Sequence, residues 1–159
     1  MNRFMIVVNP DKDTDSTVTN RIQSYLEAHG AACMVRDVFH LESSDWEALK
    51  KEQFDCVLVL GGDGTLLRMA GETEDIDIPL FGINLGTVGF LTEGEVANIE
   101  EILDRLLTDD FTIEERMMVT GTVTKADGTT YRKSALNDIV ISRAGFSRLI
   151  GLNVSVDGQ

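Results

Sequence analysis

Cysteine is scarce: the 159 residues contain two, Cys33 and Cys56. That excludes a disulfide framework or a cysteine-built zinc site. Both cysteines fall in runs that read as buried strands, where free cysteine behaves as a small hydrophobe. Positive charge is also scarce, with 14 Lys and Arg against 27 Asp and Glu, a formal net charge of −13. This balance argues against a polynucleotide partner, because phosphate backbones are bound by a surplus of Lys and Arg. It argues equally against an anionic membrane surface. A small anionic ligand is still allowed, because a local site can be positive on an acidic protein whose net charge mainly keeps it dissolved. No apolar run approaches the ~18 residues of a membrane-spanning helix. The chain enters an apolar strand at residues 4–8 with no signal-peptide pattern, so a reducing cytoplasm is the expected compartment. Internal repeats and low-complexity segments are missing too.

What is present is enough hydrophobic material (43%) for a core, and enough length for one domain or one domain plus part of another. The most informative stretch is Gly61-Gly62-Asp63-Gly64-Thr65, which follows the apolar run at 54–60. A buried strand ending in glycines lets the backbone turn tightly and approach a phosphorylated ligand. Leu66, Leu67, Met69 and Ala70 predict a helix from Thr65, whose first N–H groups face the same point. The bland reading is a plain turn with Asp63 as a helix cap. The stretch is neither a Walker loop nor the Gly-x-Gly-x-x-Gly dinucleotide fingerprint.

Around it, strands and helices alternate. Strands are predicted at 4–8, 31–36, 54–60 and 79–83. A helix capped by Asp15 or Ser16 should run to about His29, and a short one should start at Ser44. A further helix is predicted at 96–107, with Ile99, Ile102, Leu103 and Leu106 spaced for burial. This alternation predicts a parallel sheet with helices on its faces, and ligands on such sheets bind beyond the carboxyl ends of the strands. Asp63 lies at one such end and Asn84 at the next. From residue 111 onward strands and turns replace helices. Asp127-Gly128 marks a hairpin between 117–124 and 129–132, and further strands are predicted at 136–142 and 149–156. The expected organisation is an α/β unit over 1–100 and an incomplete β-rich, sandwich-like unit over 101–159. Asp157-Gly158 signals a turn with no return strand, so the chain is expected to be truncated or to need another chain beside it.

Three more features join the Gly-rich turn: Gly82-Ile83-Asn84-Leu85-Gly86-Thr87-Val88-Gly89-Phe90-Leu91, the pair Asn137-Asp138 before an apolar strand, and the arginines Arg68 and Arg148. In this order they resemble the NAD kinase family, ATP- or polyphosphate-dependent, over nearly the whole chain. The resemblance implies an α/β domain followed by a β-sandwich, with NAD bound in the cleft between them. It implies phosphorylation of the adenosine ribose 2′-hydroxyl, with Asp63 as catalytic general base. Gly62, Gly64 and Asn84 would seat the nucleotide, and Phe90 would pack at its adenine side. Asn137 and Asp138 would hold ribose hydroxyls and base edges, while Arg68 and Arg148 would face phosphates. Mg²⁺ would arrive with ATP, so no dedicated metal ligands are expected. A dimer or tetramer is implied. The family's Thr-Pro-Thr-Gly-Ser-Thr-Ala-Tyr stretch has no counterpart here, so activity of this chain alone is a separate and weaker expectation. Two other readings start from the same residues: a lipid kinase of the diacylglycerol or sphingosine type, and a nucleotide-binding module without turnover.

Overall fold

A computed structural model describes residues 1–86, 89–143 and 149–159 of the chain. Its centre is a five-stranded parallel sheet in the order β2-β1-β3-β4-β5. The strands are β1 (Arg3–Val8), β2 (Ala32–Asp37), β3 (Cys56–Gly61), β4 (Leu80–Asn84) and the short β5 (Gly94–Glu95). Among the described residues four α-helices connect or follow them: α1 (Thr17–Ala28), α2 (Ser43–Lys51), α3 (Asp63–Glu72) and α4 (Ile99–Leu107), the last preceded by a 3-10 turn, Val96–Asn98.

Strand alternation sorts the core into two layers. Phe4 and Ile6 of β1, with Leu58 and Leu60 of β3, face one side, where they meet Ile22 and Leu26 of α1 and Ile99, Leu103 and Leu106 of α4. Met5, Val7, Val57 and Val59 face the other side, where they meet Leu49 of α2 and Leu66 and Met69 of α3. Because both faces are covered, β1 and β3 read as continuous apolar runs, as strands of a buried parallel sheet do. The expected division at residue 100 falls in the first turn of α4, whose buried face belongs to the α/β core.

Local details depart from expectation in three places. Helix α1 takes no side-chain cap from Ser16, which adopts a left-handed conformation (φ 56°). The Asp15 carboxylate accepts from Thr17 N, while the buried Asp13 accepts the N–H groups of Val18 and Thr19 at 3.1 and 2.8 Å, so a loop residue further back satisfies the first turn. Helix α3 begins at Asp63 rather than Thr65, because the carbonyl of Gly62 already accepts from Thr65 and Leu66. Among the described residues the β-rich part is a hairpin, β6 (Val119–Thr124) and β7 (Thr130–Ala135), turning at Gly128 (φ +85°). Segments 136–142 and 149–156 form no strand. Among the described residues no neighbouring strand offers them a ladder, and Val140, Ile141, Leu152 and Val154 are exposed. No helix among the described residues is long and apolar enough to cross a membrane.

Candidate active site

Strand β3 delivers Gly61 and Gly62 to the carboxyl edge of the sheet, and α3 starts there with Asp63. None of the three glycines in this turn has positive φ. Gly61 is held to glycine by close approach to Thr65, whereas Gly62 faces only the end of the flexible, exposed Lys12 side chain. A Cβ on Gly61 would strike the Thr65 side chain at 2.3 Å, and one on Gly62 would lie 2.7 Å from Lys12 Nζ. Gly64 differs: a Cβ there would meet open space, so nothing in the protein demands glycine.

The Asp63 carboxylate points across to the loop after β4. Its Oδ2 accepts from Phe90 N at 2.8 Å, and its Oδ1 accepts from Leu91 N at 3.1 Å and Thr92 N at 3.3 Å. Gly89 packs so closely that a Cβ would overlap the carboxylate, 2.1 Å from Oδ1. The backbone bond from Phe90 is the main reason the carboxyl titrates below its ordinary 3.8; burial pushes the other way, and the Leu91 and Thr92 bonds reinforce the lowering. Asp63 is therefore an anion throughout the neutral range. A carboxylate has about four acceptor positions. Three are taken by the loop, so an incoming hydroxyl has room chiefly at Oδ2.

Of the other expected site residues, Arg68, Asn137 and Asp138 line one cavity and Asn84 lines another, while Gly62, Gly64 and Phe90 line neither. The first, about 430 Å³, lies between α3 and the hairpin. It is lined by Leu67, Arg68 and Gly71 of α3, Lys133 and Ser134 of β7, and Asn137 and Asp138 just beyond. Close helix–hairpin packing forms it: a Cβ on Gly71 would lie 3.7 Å from the Ser134 carbonyl oxygen. Arg68 is exposed and also lies over the Phe39 ring, 5.8 Å from its centroid. Asp63 does not line this cavity; it stands five residues from Arg68, about 7.5 Å along the helix axis. The second cavity, about 340 Å³, is lined by Lys12, Val18, Asn84, Leu85, Gly86, Glu95, Val96 and Ala97. The Asn84 side-chain oxygen accepts from Gly86 N at 3.0 Å, so Asn84 shapes the loop as well as the cavity wall. The Phe90 ring is fully exposed, so it is not a core residue, and its backbone N–H serves Asp63. Arg148 lies outside the described residues, as do Thr87 and Val88 of the second Gly-rich loop.

Sequence reading missed two partners of the site. Gly89 could have been picked out within its Gly-rich loop, but only the structure shows that it contacts Asp63. Lys12 sits in an unpatterned loop after Asn9-Pro10, and only the strand order places it opposite Gly62.

The chain is similar to proteins of known activity. A family model described as the ATP-NAD kinase N-terminal domain matches residues 4–111. The NAD kinase of Lachnoclostridium phytofermentans is 40% identical over 163 residues, covering 100% of this chain and 57% of that protein. The NAD kinase of Lachnospira eligens is 38% identical over 164 residues, with 100% and 56% covered. The chain thus spans a little over half the length of the curated relatives it matches. Among solved structures, that of yeast NADH kinase complexed with NADH superposes with a TM-score of 0.66 at 14% identity, covering 86% of this chain and 47% of that one. The likeness at that identity is one of fold.

Proposed function

The chain belongs to the NAD kinase family, and from that membership we propose that it carries the acceptor-activating part of a phosphotransferase that converts NAD to NADP. The observation that bears most weight is the Asp63 carboxylate, fixed on three backbone N–H groups at the carboxyl edge of a parallel sheet with one acceptor position to spare. In this reading the adenosine ribose 2′-hydroxyl donates to Asp63 Oδ2. As its oxygen bonds to the terminal phosphorus of the donor, the proton passes to the carboxylate and the bond from that phosphorus to the bridging oxygen breaks. The products are NADP and, with ATP as donor, ADP. A carboxyl of lowered pKa is a weak base. Its contribution is a base already ionised and already in place, and positioning with electrostatic stabilisation supplies most of what phosphoryl transfer needs.

Arg68, Asn137 and Asp138 share one cavity, which supports a nucleotide subsite there. Gly62, Gly64 and Asn84 border the phosphate side, and Phe90 and Arg148 complete the proposed set. Among the described residues no three His, Cys, Asp or Glu side chains converge as a metal site. In this reading Mg²⁺ would arrive on the donor's phosphates and supply charge neutralisation there. A division into a kinase unit over 1–100 and a NAD-binding β-rich unit over 101–159, assembly as a dimer or tetramer, and a cytoplasmic setting belong to the same proposal. The relatives favour neither a lipid kinase nor a module without turnover.

The test is NADP formation from NAD and ATP, or from NAD and polyphosphate, by the chain and by Asp63→Asn. Loss of a positioned base lowers turnover by roughly 10²–10⁴-fold. Near-wild-type turnover of the Asn variant would remove Asp63 from the base role. Phosphorylation of sphingosine or diacylglycerol in preference to NAD would overturn the substrate assignment.

A further inference from the structure

We propose that Lys12 holds the terminal phosphates of the phosphoryl donor, in a polyphosphate subsite between the loop after β1 and the loop after β3. The proposal deepens the phosphoryl-transfer reading and takes its ligand class from it. Its starting point is the strand order. The chain leaves β1 for β2 on one side and later returns to β3 on the other, so the loops after β1 and β3 diverge and open a crevice at the carboxyl edge. Such switch points are where parallel α/β sheets bind ligands.

Lys12 enters that crevice from the first loop, and Gly62 borders it from the second. The Lys12 ammonium occupies the space a side chain at 62 would need, and it lies 3.6 Å from where a Cβ on Gly86 would stand. The loop that carries it is fixed. Lys12 N and Asp13 N both donate to the Asn9 carbonyl, at 3.0 and 3.3 Å, and buried Asp13 is anchored on the first turn of α1. On a chain with 27 acidic residues, the ion pairs among the described residues all lie elsewhere, and no carboxylate is within ion-pair distance of Lys12. The ammonium instead sits at the N-terminal end of α3, where the helix dipole is also positive. Two features of like sign facing one space are stable together when an anion lies between them. The adjoining cavity of about 340 Å³ has room for a short phosphate chain. Glu95 is the only carboxylate in its lining and opposes an anion there. The resulting layout puts the donor's phosphates on the Gly62 side of α3 and the acceptor base one residue on.

The test uses the 159-residue chain and inorganic tripolyphosphate, titrated calorimetrically at low ionic strength with EDTA present. Wild-type protein binds, Lys12→Gln weakens binding by roughly tenfold or more, and Lys12→Arg retains most of it, as expected for a charge-assisted phosphate contact. Glu95→Gln tightens binding. Lys12 is exposed, so an unchanged melting temperature is expected for the Gln variant and separates lost binding from lost fold. ATP and long-chain polyphosphate, titrated separately, identify the donor by the tighter Lys12-dependent binding. NAD is titrated into the same samples. Lys12-dependent tripolyphosphate binding without any NAD binding leaves the subsite standing and sinks the NAD reading. NAD binding with tripolyphosphate affinity indifferent to Lys12, or no tripolyphosphate binding by the wild type, overturns the subsite.

Discussion

Gly64 and Gly62 stand two positions apart and answer to different demands. At Gly62 the protein itself fills the space, through the Lys12 ammonium. At Gly64, in the first turn of α3, the space is open and the backbone is helical, so alanine would suit the fold better. Gly64→Ala is therefore expected to stabilise the protein by up to about 1 kcal/mol, the difference in helix propensity, read as a higher urea midpoint. In the proposed site the same methyl would intrude on the nucleotide, and overpacking of about 1–3 kcal/mol corresponds to a loss of roughly 5- to 150-fold in NAD affinity. A variant both more stable and unimpaired in NAD binding would show that no ligand approaches this face. Asp63 carries a similar double burden, since its carboxylate both ties the 90–92 loop to α3 and offers the remaining acceptor position.

At the level of elements, α4 shows how firmly the α/β unit is built. Leu103 is fully buried between α1 and the sheet. Leu103→Ala is expected to cost about 2–5 kcal/mol by lost transfer energy and cavity formation. Val123→Ala in the exposed hairpin should change stability by no more than ~0.5 kcal/mol. Urea unfolding of both variants checks the contrast; similar losses would mean that the hairpin is as integral to the core as α4. This division also explains what could be read from the chain beforehand. The run at 4–8 and that at 54–60 from Cys56 onward are strands, legible because burial on both faces goes with an unbroken apolar sequence. Asp127-Gly128 marked the hairpin because the turn chemistry is local. The runs at 136–142 and 149–156 have strand-like sequences but no neighbour, and a strand is defined by its partner. The two-residue β5 is too short to show any period. Asp13 caps α1 from outside the positions where a cap is normally sought. Within the site, the Gly-rich turn and Asp63 were legible from spacing. The bonds from 90–92 and the approach of Lys12 depend on strand order, which spacing does not encode.

At the scale of the whole molecule, the excess of acid decides how the protein responds to salt. Eight ion pairs are formed among the described residues, most of them between exposed side chains. Exposed pairs contribute about 0–1 kcal/mol each. Against them stands a formal net charge of −13, whose self-repulsion opposes compaction. Salt weakens both terms, but repulsion acts over longer distances and is screened more completely as the Debye length falls from about 30 Å at 0.01 M to about 8 Å at 0.15 M. The melting temperature should therefore rise between those two concentrations of sodium chloride. The tripolyphosphate affinity assigned to Lys12 should fall over the same range, because a local attraction is screened where the global repulsion is relieved. A melting temperature that dropped with salt would mean that the paired charges, and not the thirteen in excess, govern the electrostatic balance.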